Sequence, residues 1–510
     1  MSFNLCTEPW IPVRTGHTVQ LVSLETALLE AKQFERLEHS NPLVSVAVYR
    51  FLLAVLHRAL EGPDRPEDAA QWFLDGFPAP KIRAYLDRWH DRFDLFGTTP
   101  FMQVPDLPLE GLTDHWSKLS TERGSGNTTF LFNERLRENV PNATDGITPA
   151  EAVLHLLEHQ GFALGGLVKR LGVTAMGSAP SANTALVMAA GQNLLETLTL
   201  NLVIYPAMDR KIDSPIWERD PVRFKQLEGG FKAAMRGITD RYTWMPRAIR
   251  LEQDDGAVRF MAFAAGVGLD GDGTKEPMAA SYLNAKGEPR KLGLFQGKGL
   301  WRDFHALVPK PDGASTIATL ENAREILRLL GQRGQLRVYV FAQANDKAKV
   351  LMTRAEAFVL PELVLSDHEI RTFVERILQI TERIGRNLEA AARTLAEKII
   401  GAGERKPLPE DTRKLSSTFG HQAVYWTALE RAFTVFLASL PANPDEFDAV
   451  RGQLEQDWIL NTEKMAKDAF KQAEISAGFT AKALRAAESA KGMLEALLRR
   501  GDEPKKKEKA

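Results

Sequence analysis

The chain has 510 residues, 44% hydrophobic and 26% charged, enough apolar material for large cores in a globular protein of two to four domains. A formal net charge of −1 excludes nucleic-acid binding through bulk charge, so any phosphate contact has to come from local basic patches. The single cysteine, Cys6, excludes an intrachain disulfide and a cysteine-rich zinc site.

No uninterrupted apolar run approaches the roughly 18 residues a membrane span needs; the stretch from Leu43 to Leu56 is broken by Arg50. Residues 1–10 lack the basic and apolar regions of a signal peptide. Together these features predict a cytoplasmic protein with no membrane partner.

In chain order, residues 10–13 and 18–22 read as short strands about a turn at Gly16. Asn41-Pro42 marks a helix start, because Asn caps free amides and Pro at the first helical position has no amide to leave unpaired. That helix continues through Leu60. Residues 93–104 are loop-like, and residues 133–146 form a long polar loop after the anchor Phe130–Phe132.

Thr148-Pro149-Ala150-Glu151 is a capping box. The helix it opens is expected to run to about Gln160 and stop at Gly161, with a glycine-containing loop over 161–177. A further apolar helix is expected over 185–203. Alternation around Asp255-Gly256 predicts a hairpin, Lys286-Gly287 suggests a second, and a helix over 317–330 precedes a strand over 336–341.

Beyond Pro361, Ile370, Phe373, Val374, Ile377 and Ile380 keep helical spacing. Further helices are expected near 415–440, 445–475 and 479–499. The fold class is therefore α+β: a large mixed domain of small sheets and helices over 1–361, an all-α four-helix bundle over 362–500, and a charged tail over 501–510.

Three patterns carry an enzymatic reading. His155, Glu158 and His159 match H-x-x-E-H, in which two imidazoles one turn apart hold zinc and the glutamate acts as base; no third ligand is evident. His90-Asp91, with His57 as a possible partner, has the residue types of metal-dependent phosphohydrolases but reads better as a solvated helix end. Gly266 to Gly271 fits G-x-G-x-x-G, yet Gly273 and Pro277 follow, so no helix opens there to face a pyrophosphate.

The ordered motifs resemble the large-subunit (CasA) family of type I-E CRISPR Cascade complexes along nearly the whole chain. The segments are Pro9-Trp10-Ile11-Pro12-Val13-Arg14, Thr99-Pro100-Phe101-Met102-Gln103, Gly126 to Asn133, Asp213 to Glu218 and Trp244-Met245-Pro246. To these is added Gln160-Gly161-Phe162 with Gly165-Gly166.

The resemblance implies a non-catalytic subunit without cofactor or metal. It would work beside other Cascade proteins and guide crRNA, inspect the PAM in double-stranded target DNA through minor-groove loops, help start unwinding, and recruit a helicase–nuclease. Groove reading needs close backbone approach, which glycines permit. The DNA-facing loop is thus expected at Gly161, Phe162, Gly165 and Gly166, with Lys169 and Arg170 meeting phosphates, although Gly161 also reads as a simple helix cap.

By the same resemblance, Asn127, Phe130, Phe132, Asn133, Arg135 and Arg137 belong to a loop contacting guide RNA and DNA. A duplex wedge is expected in the polar loop Gln343, Asn345 and Lys347. The chain departs from the family pattern at Ala163-Leu164, and at Val267, where the family's minor-groove lysine is absent. Lys275 lies near that place, and Lys286, Arg290, Lys291, Lys298 and Arg302 form a basic stretch beyond it.

Overall fold

The computed structural model describes residues 2–121, 146–271, 275–284, 286–295, 297–308, 317–332, 335–401, 407–441 and 443–499. It divides into two compact units, one of Met1–Gln296 with Ala306–Phe358, the other of Gly297–His305 with Val359–Ala510.

The first unit opens with β1 (Ile11–Thr15) and β2 (Thr18–Val22), antiparallel with Ile11 opposite Val22, and β1 also pairs with β3 (Arg36–Leu37). Gly16 takes a φ of 60° at the tight turn, where the absence of a Cβ removes the steric penalty. Helix α1 (Pro42–Leu60) starts where the sequence signals it: Asn41 accepts a hydrogen bond from the Leu43 amide, and Pro42 fills the first position.

Every residue of α1 from Leu43 to His57 is buried. Its length and composition would suit a membrane crossing, which corrects the expectation that no such run exists. Protein surrounds it instead. Arg50 does not break the apolar run, because its guanidinium meets the equally buried Glu276 at 2.6 Å. Removing one partner of such a pair costs about 3–5 kcal/mol, because the other charge is left buried and uncompensated.

Helix α2 (Ala79–Trp89) packs on α1. Strand β4 (Thr113–His115) follows, then α3 (Pro149–Phe162), the hairpin β5 (Gly166–Arg170) and β6 (Val173–Met176), and β7 (Leu186–Ala190). The predicted helix over 185–203 is thus a strand followed by the shorter α4 (Leu194–Asn201). All five β7 residues are buried, and a short, wholly apolar run has no periodicity to separate strand from helix.

Long-range partners decide β7. One is the antiparallel strand β14 described below; the other is the Asn201 side chain, which accepts from Ala189 N at 3.0 Å and donates to Ala189 O at 2.7 Å.

Next come α5 (Ala207–Ile212) and β8 (Lys232–Ala233), then β9 (Arg247–Asp254) and β10 (Ala257–Ala265). Those last two strands form the hairpin predicted at Asp255-Gly256, both turn residues having positive φ. β11 (Gly268–Leu269) lies parallel to β8, so the G-x-G-x-x-G segment builds a strand and opens no helix. β12 (Ser281–Leu283) and β13 (Pro289–Lys291) make the second predicted hairpin, and α6 (Ala318–Leu329) the predicted helix. Finally β14 (Gln335–Asp346) sits between β7 and β15 (Lys349–Pro361).

In the second unit, α7 (His368–Ile400), α8 (His421–Ala438), α9 (Pro444–Ala477) and α10 (Ala481–Arg499) are the long helices. α7 packs on the other three, and α9 on α8 and α10. The periodic residues Ile370, Phe373, Val374, Ile377, Ile380 and Ile384 form the buried stripe of α7. Thr381 in that stripe takes hydrogen bonds at 2.9 Å from Tyr425 Oη, on its carbonyl, and from Trp458 Nε1, on its hydroxyl. Residues 297–305 join this unit: Trp301 packs on Phe433, and Arg302 makes a two-pronged pair with Glu382 at 2.8 and 3.0 Å.

Candidate nucleic-acid interface

The sequence places the glycine-bearing turn at the end of α3. That helix begins with the predicted reciprocal cap between Thr148 and Glu151 and runs on through Phe162. Gly161 therefore lies inside its last turn and does not end it; the capping residue is Ala163, with an ordinary negative φ. Open space surrounds the position a Gly161 methyl would take, so neither backbone conformation nor close packing requires glycine there. Phe162 is fully buried in the main core, which removes it from any DNA-facing surface: a phenyl ring at a helix end gains more from burial than from water.

The last carbonyls of a helix have no partner within it, and here a buried clamp takes that of Phe162, the cap carbonyl of Ala163 and Leu164 O just beyond. The Arg247 guanidinium donates to Leu164 O at 2.8 Å and to Ala163 O at 3.4 Å. Gln160 exchanges two bonds with the Arg247 backbone, at 3.0 and 3.2 Å. Gln343 donates to Phe162 O and to Ala182 O, both at 2.8 Å.

Arg247 is 1% exposed, and burial pulls its pKa down to about 10. A cation at this end is favoured by the helix dipole. Gln343 is buried inside β14, so it belongs to the clamp and not to an exposed wedge. The polar loop predicted over 343–347 shrinks to the turn after Asp346, because β14 runs further than its apolar core.

Gly165 has the close approach its residue type permits, with this protein's own backbone. A methyl there would sit 2.9 Å from Met176 O and 3.0 Å from Ser178 N. Its amide donates to Ser178 Oγ at 3.0 Å. The segment predicted as a loop over 161–177 is thus mostly the β5–β6 hairpin.

From that base the hairpin presents Leu167, 76% exposed, and Lys169, exposed with a φ of 50°. Arg170 faces the protein: it pairs with Asp114 and donates to Leu112 O at 3.1 Å and Phe263 O at 2.8 Å. Its predicted phosphate role gives way to this anchoring, since a half-buried guanidinium needs its charge and donors matched.

Gly166 lies beside the β14–β15 tip; a methyl on it would meet Ala348 Cβ at 3.8 Å. Lys347, with a φ of 53°, and Lys349 flank Ala348 and are exposed. Asn345, next to the end of β14, turns its amide onto Lys347 O at 3.2 Å, which shapes the tip. Beside β6, a cleft of about 380 Å³ is lined by Met176, Gly177, Lys232, Trp244, Arg247 and Gly266 among others. Asn127, Phe130, Phe132, Asn133, Arg135 and Arg137 lie outside the described residues.

The zinc reading of α3 meets a different arrangement. Glu158 is fully buried; it accepts from Asn41 Nδ2 at 2.7 Å and from Thr121, and faces His155 Nδ1 at 3.3 Å. His159 turns Nδ1 to Leu119 O at 3.0 Å, and burial, chiefly, drops its pKa to about 3. The carboxylate and one imidazole are thus used to tie α3 to its neighbours. Among the described residues no group of three or more His, Cys, Asp or Glu side chains could hold a metal ion.

With this geometry in place, the family comparison is decisive: the model for the CRISPR-associated protein Cse1 matches residues 4–469. The chain belongs to the Cse1 family. It is 41% identical over 468 residues to the CRISPR-associated protein CasA/Cse1 of Thermus thermophilus, covering 89% of this chain and 91% of the relative.

A crystal structure of Thermus thermophilus CasA superposes with a TM-score of 0.85 at 38% identity, covering 98% of this chain and all of that one. A chain of a structure titled CRISPR RNA-guided surveillance complex shares the fold, with a TM-score of 0.72 at 20% identity over 97% of this chain and 99% of that one.

Sequence reasoning pointed to the segment of the β5–β6 hairpin but singled out neither Leu167 on it nor Arg247 beneath it. Leu167 was passed over because the apolar pair Leu167-Val168 between glycines and basic residues gives no periodic signal. Arg247, next to the Trp244-Met245-Pro246 motif, carried no local mark of its role, since its clamp partners Gln160, Ala163 and Leu164 lie more than 80 residues away in sequence.

Proposed function

We propose that this Cse1 protein is the non-catalytic large subunit of a cytoplasmic RNA-guided DNA surveillance complex. In this reading the β5–β6 hairpin and the β14–β15 tip face the minor groove of the PAM duplex and help start strand separation. The observation that carries it is one apolar side chain, Leu167, projecting from a hairpin flanked by Lys169, Lys347 and Lys349. Apolar wedges beside cations suit a groove lined by phosphates. The backbone clamp of Arg247, Gln160 and Gln343 supplies the rigid base that such positioning needs.

The long helices of the second unit act in this proposal as a four-helix bundle that docks neighbouring subunits. The segment over 127–137 meets guide RNA, and a separate helicase–nuclease performs cleavage. Family membership and the fold shared with a chain of a surveillance complex support the neighbouring subunits and the guide RNA as partners.

The test is PAM-duplex affinity of the assembled complex as salt is varied. Lys169→Glu, Lys347→Glu and Lys349→Glu are each expected to weaken binding and to lower the salt slope by about 1. Leu167→Ser is expected to slow duplex opening more than it weakens duplex binding. Unchanged affinity and salt slope in all three lysine variants would refute the interface.

A further inference from the structure

A second cleft, of about 610 Å³, lies in the first unit and shares no lining residue with the cleft beside β6. Residues of α2 and α5 and the end of α1 line it, with five basic side chains against two acidic ones. One acid, Glu218, is already committed. It holds Arg58 at 2.6 and 2.9 Å and accepts from Tyr85 Oη at 2.6 Å. Arg210 is likewise held, by Asp64 at 2.8 Å and Tyr205 O at 2.6 Å.

Lys81, Arg88 and Lys211 remain. All three are exposed, and among the described residues none has an acidic partner; Lys81 reaches only Leu60 O, at 3.4 Å. Trp89 is half-buried in the same wall, with the Arg88 guanidinium 5.3 Å from its ring centre.

We propose that this cleft binds a nucleotide, its phosphates on Lys81, Arg88 and Lys211 and its base against Trp89. The size lies within the roughly 300–1,000 Å³ of small-ligand sites. The three uncommitted cations call for a compact anion, and the ring offers a face on which any base stacks, worth about 1–3 kcal/mol. Two sources share this chemistry: a free nucleotide, or a nucleotide within a single strand. The site is separate from the hairpin assigned to duplex reading, so neither proposal stands or falls with the other.

The experiment titrates the full chain with ADP by calorimetry and with a labelled oligothymidylate by fluorescence anisotropy. Polyglutamate serves as a competitor lacking bases. Saturable binding of at least one probe is expected, weakened about tenfold or more, equivalent to about 1.4 kcal/mol, by the surface pair Arg88→Glu with Lys211→Glu. Trp89→Ala should weaken it by a similar factor, with the melting temperature of each variant checked.

ADP binding alone would support the free nucleotide as the source, and oligothymidylate binding alone the strand. Binding of neither probe, binding unchanged in the Arg88/Lys211 variant, or equally tight competition by polyglutamate would overturn the proposal.

Discussion

Two glycines show how differently the units of this protein are packed. In the second unit, Gly385 on α7 faces aromatic side chains; a methyl there would meet Trp426 Cζ2 at 2.8 Å and Tyr425 Cε1 at 3.1 Å. In the first unit, Gly165 faces backbone atoms at the end of β6 and just after it. Side chains at a helix contact can change rotamer, whereas a backbone turn held by hydrogen bonds at both ends yields only by moving the turn. The helix contact at Gly385 should therefore accept a methyl more readily than the turn at Gly165.

Acid is the strongest way to separate the units. Burial lowers His57 to a pKa of about 4 and His159 to about 3, from an ordinary 6.5; both lie in the first unit. A depressed histidine stabilises the fold above 6.5, and that contribution is lost as pH falls from 6.5 toward the folded value. Taking the first unit from pH 7 to 5 should cost on the order of 2 kcal/mol per histidine.

In the second unit, Glu389 is lowered from 4.5, its hydrogen bond to His421 the largest effect opposing burial. A depressed carboxylate loses its contribution only as pH falls below 4.5. Hydrogen exchange at pH 5 is therefore expected to rise in α1 and α3 before it rises in α7. Equal rises in both units would erase the contrast.

Arg247→Met, which leaves the Leu164 carbonyl without its charged donor, should cost about 3 kcal/mol. It should also loosen β5–β6 in hydrogen exchange while α7 to α10 keep their protection. Gly165→Ala should cost about 1–3 kcal/mol by overpacking and reduce PAM-duplex binding, with Gly385→Ala costing less; denaturant midpoints compare the two directly. The smallest effect runs the other way. Gly161→Ala, inside α3 with open space at the methyl position, should raise stability by up to about 1 kcal/mol and leave duplex binding unchanged.

Much of the fold was legible because its signals are local. Asn41-Pro42, Thr148 to Glu151 and Asp255-Gly256 each specify a cap or turn within four residues, and the stripe of α7 repeats every turn. β7 was not legible, since Leu186 to Ala190 becomes a strand only where β14 and Asn201 complete its hydrogen bonds. At the candidate interface the motif order pointed to the segment of the β5–β6 hairpin, where Lys169 is exposed, and to Lys347 at the β14–β15 tip, exposed as well. It misassigned Phe162, Arg170 and Gln343, because residue type alone does not say which way a side chain faces.

By itself the amino-acid sequence determined the family, the helical second half and the turns, all of which depend on residue types at short spacing. Only the tertiary structure decided which polar groups are consumed internally. A buried carbonyl or guanidinium must be paired wherever its partner lies along the chain, and that pairing turned Arg170, Arg247 and Gln343 inward and left Leu167 and the lysines outside.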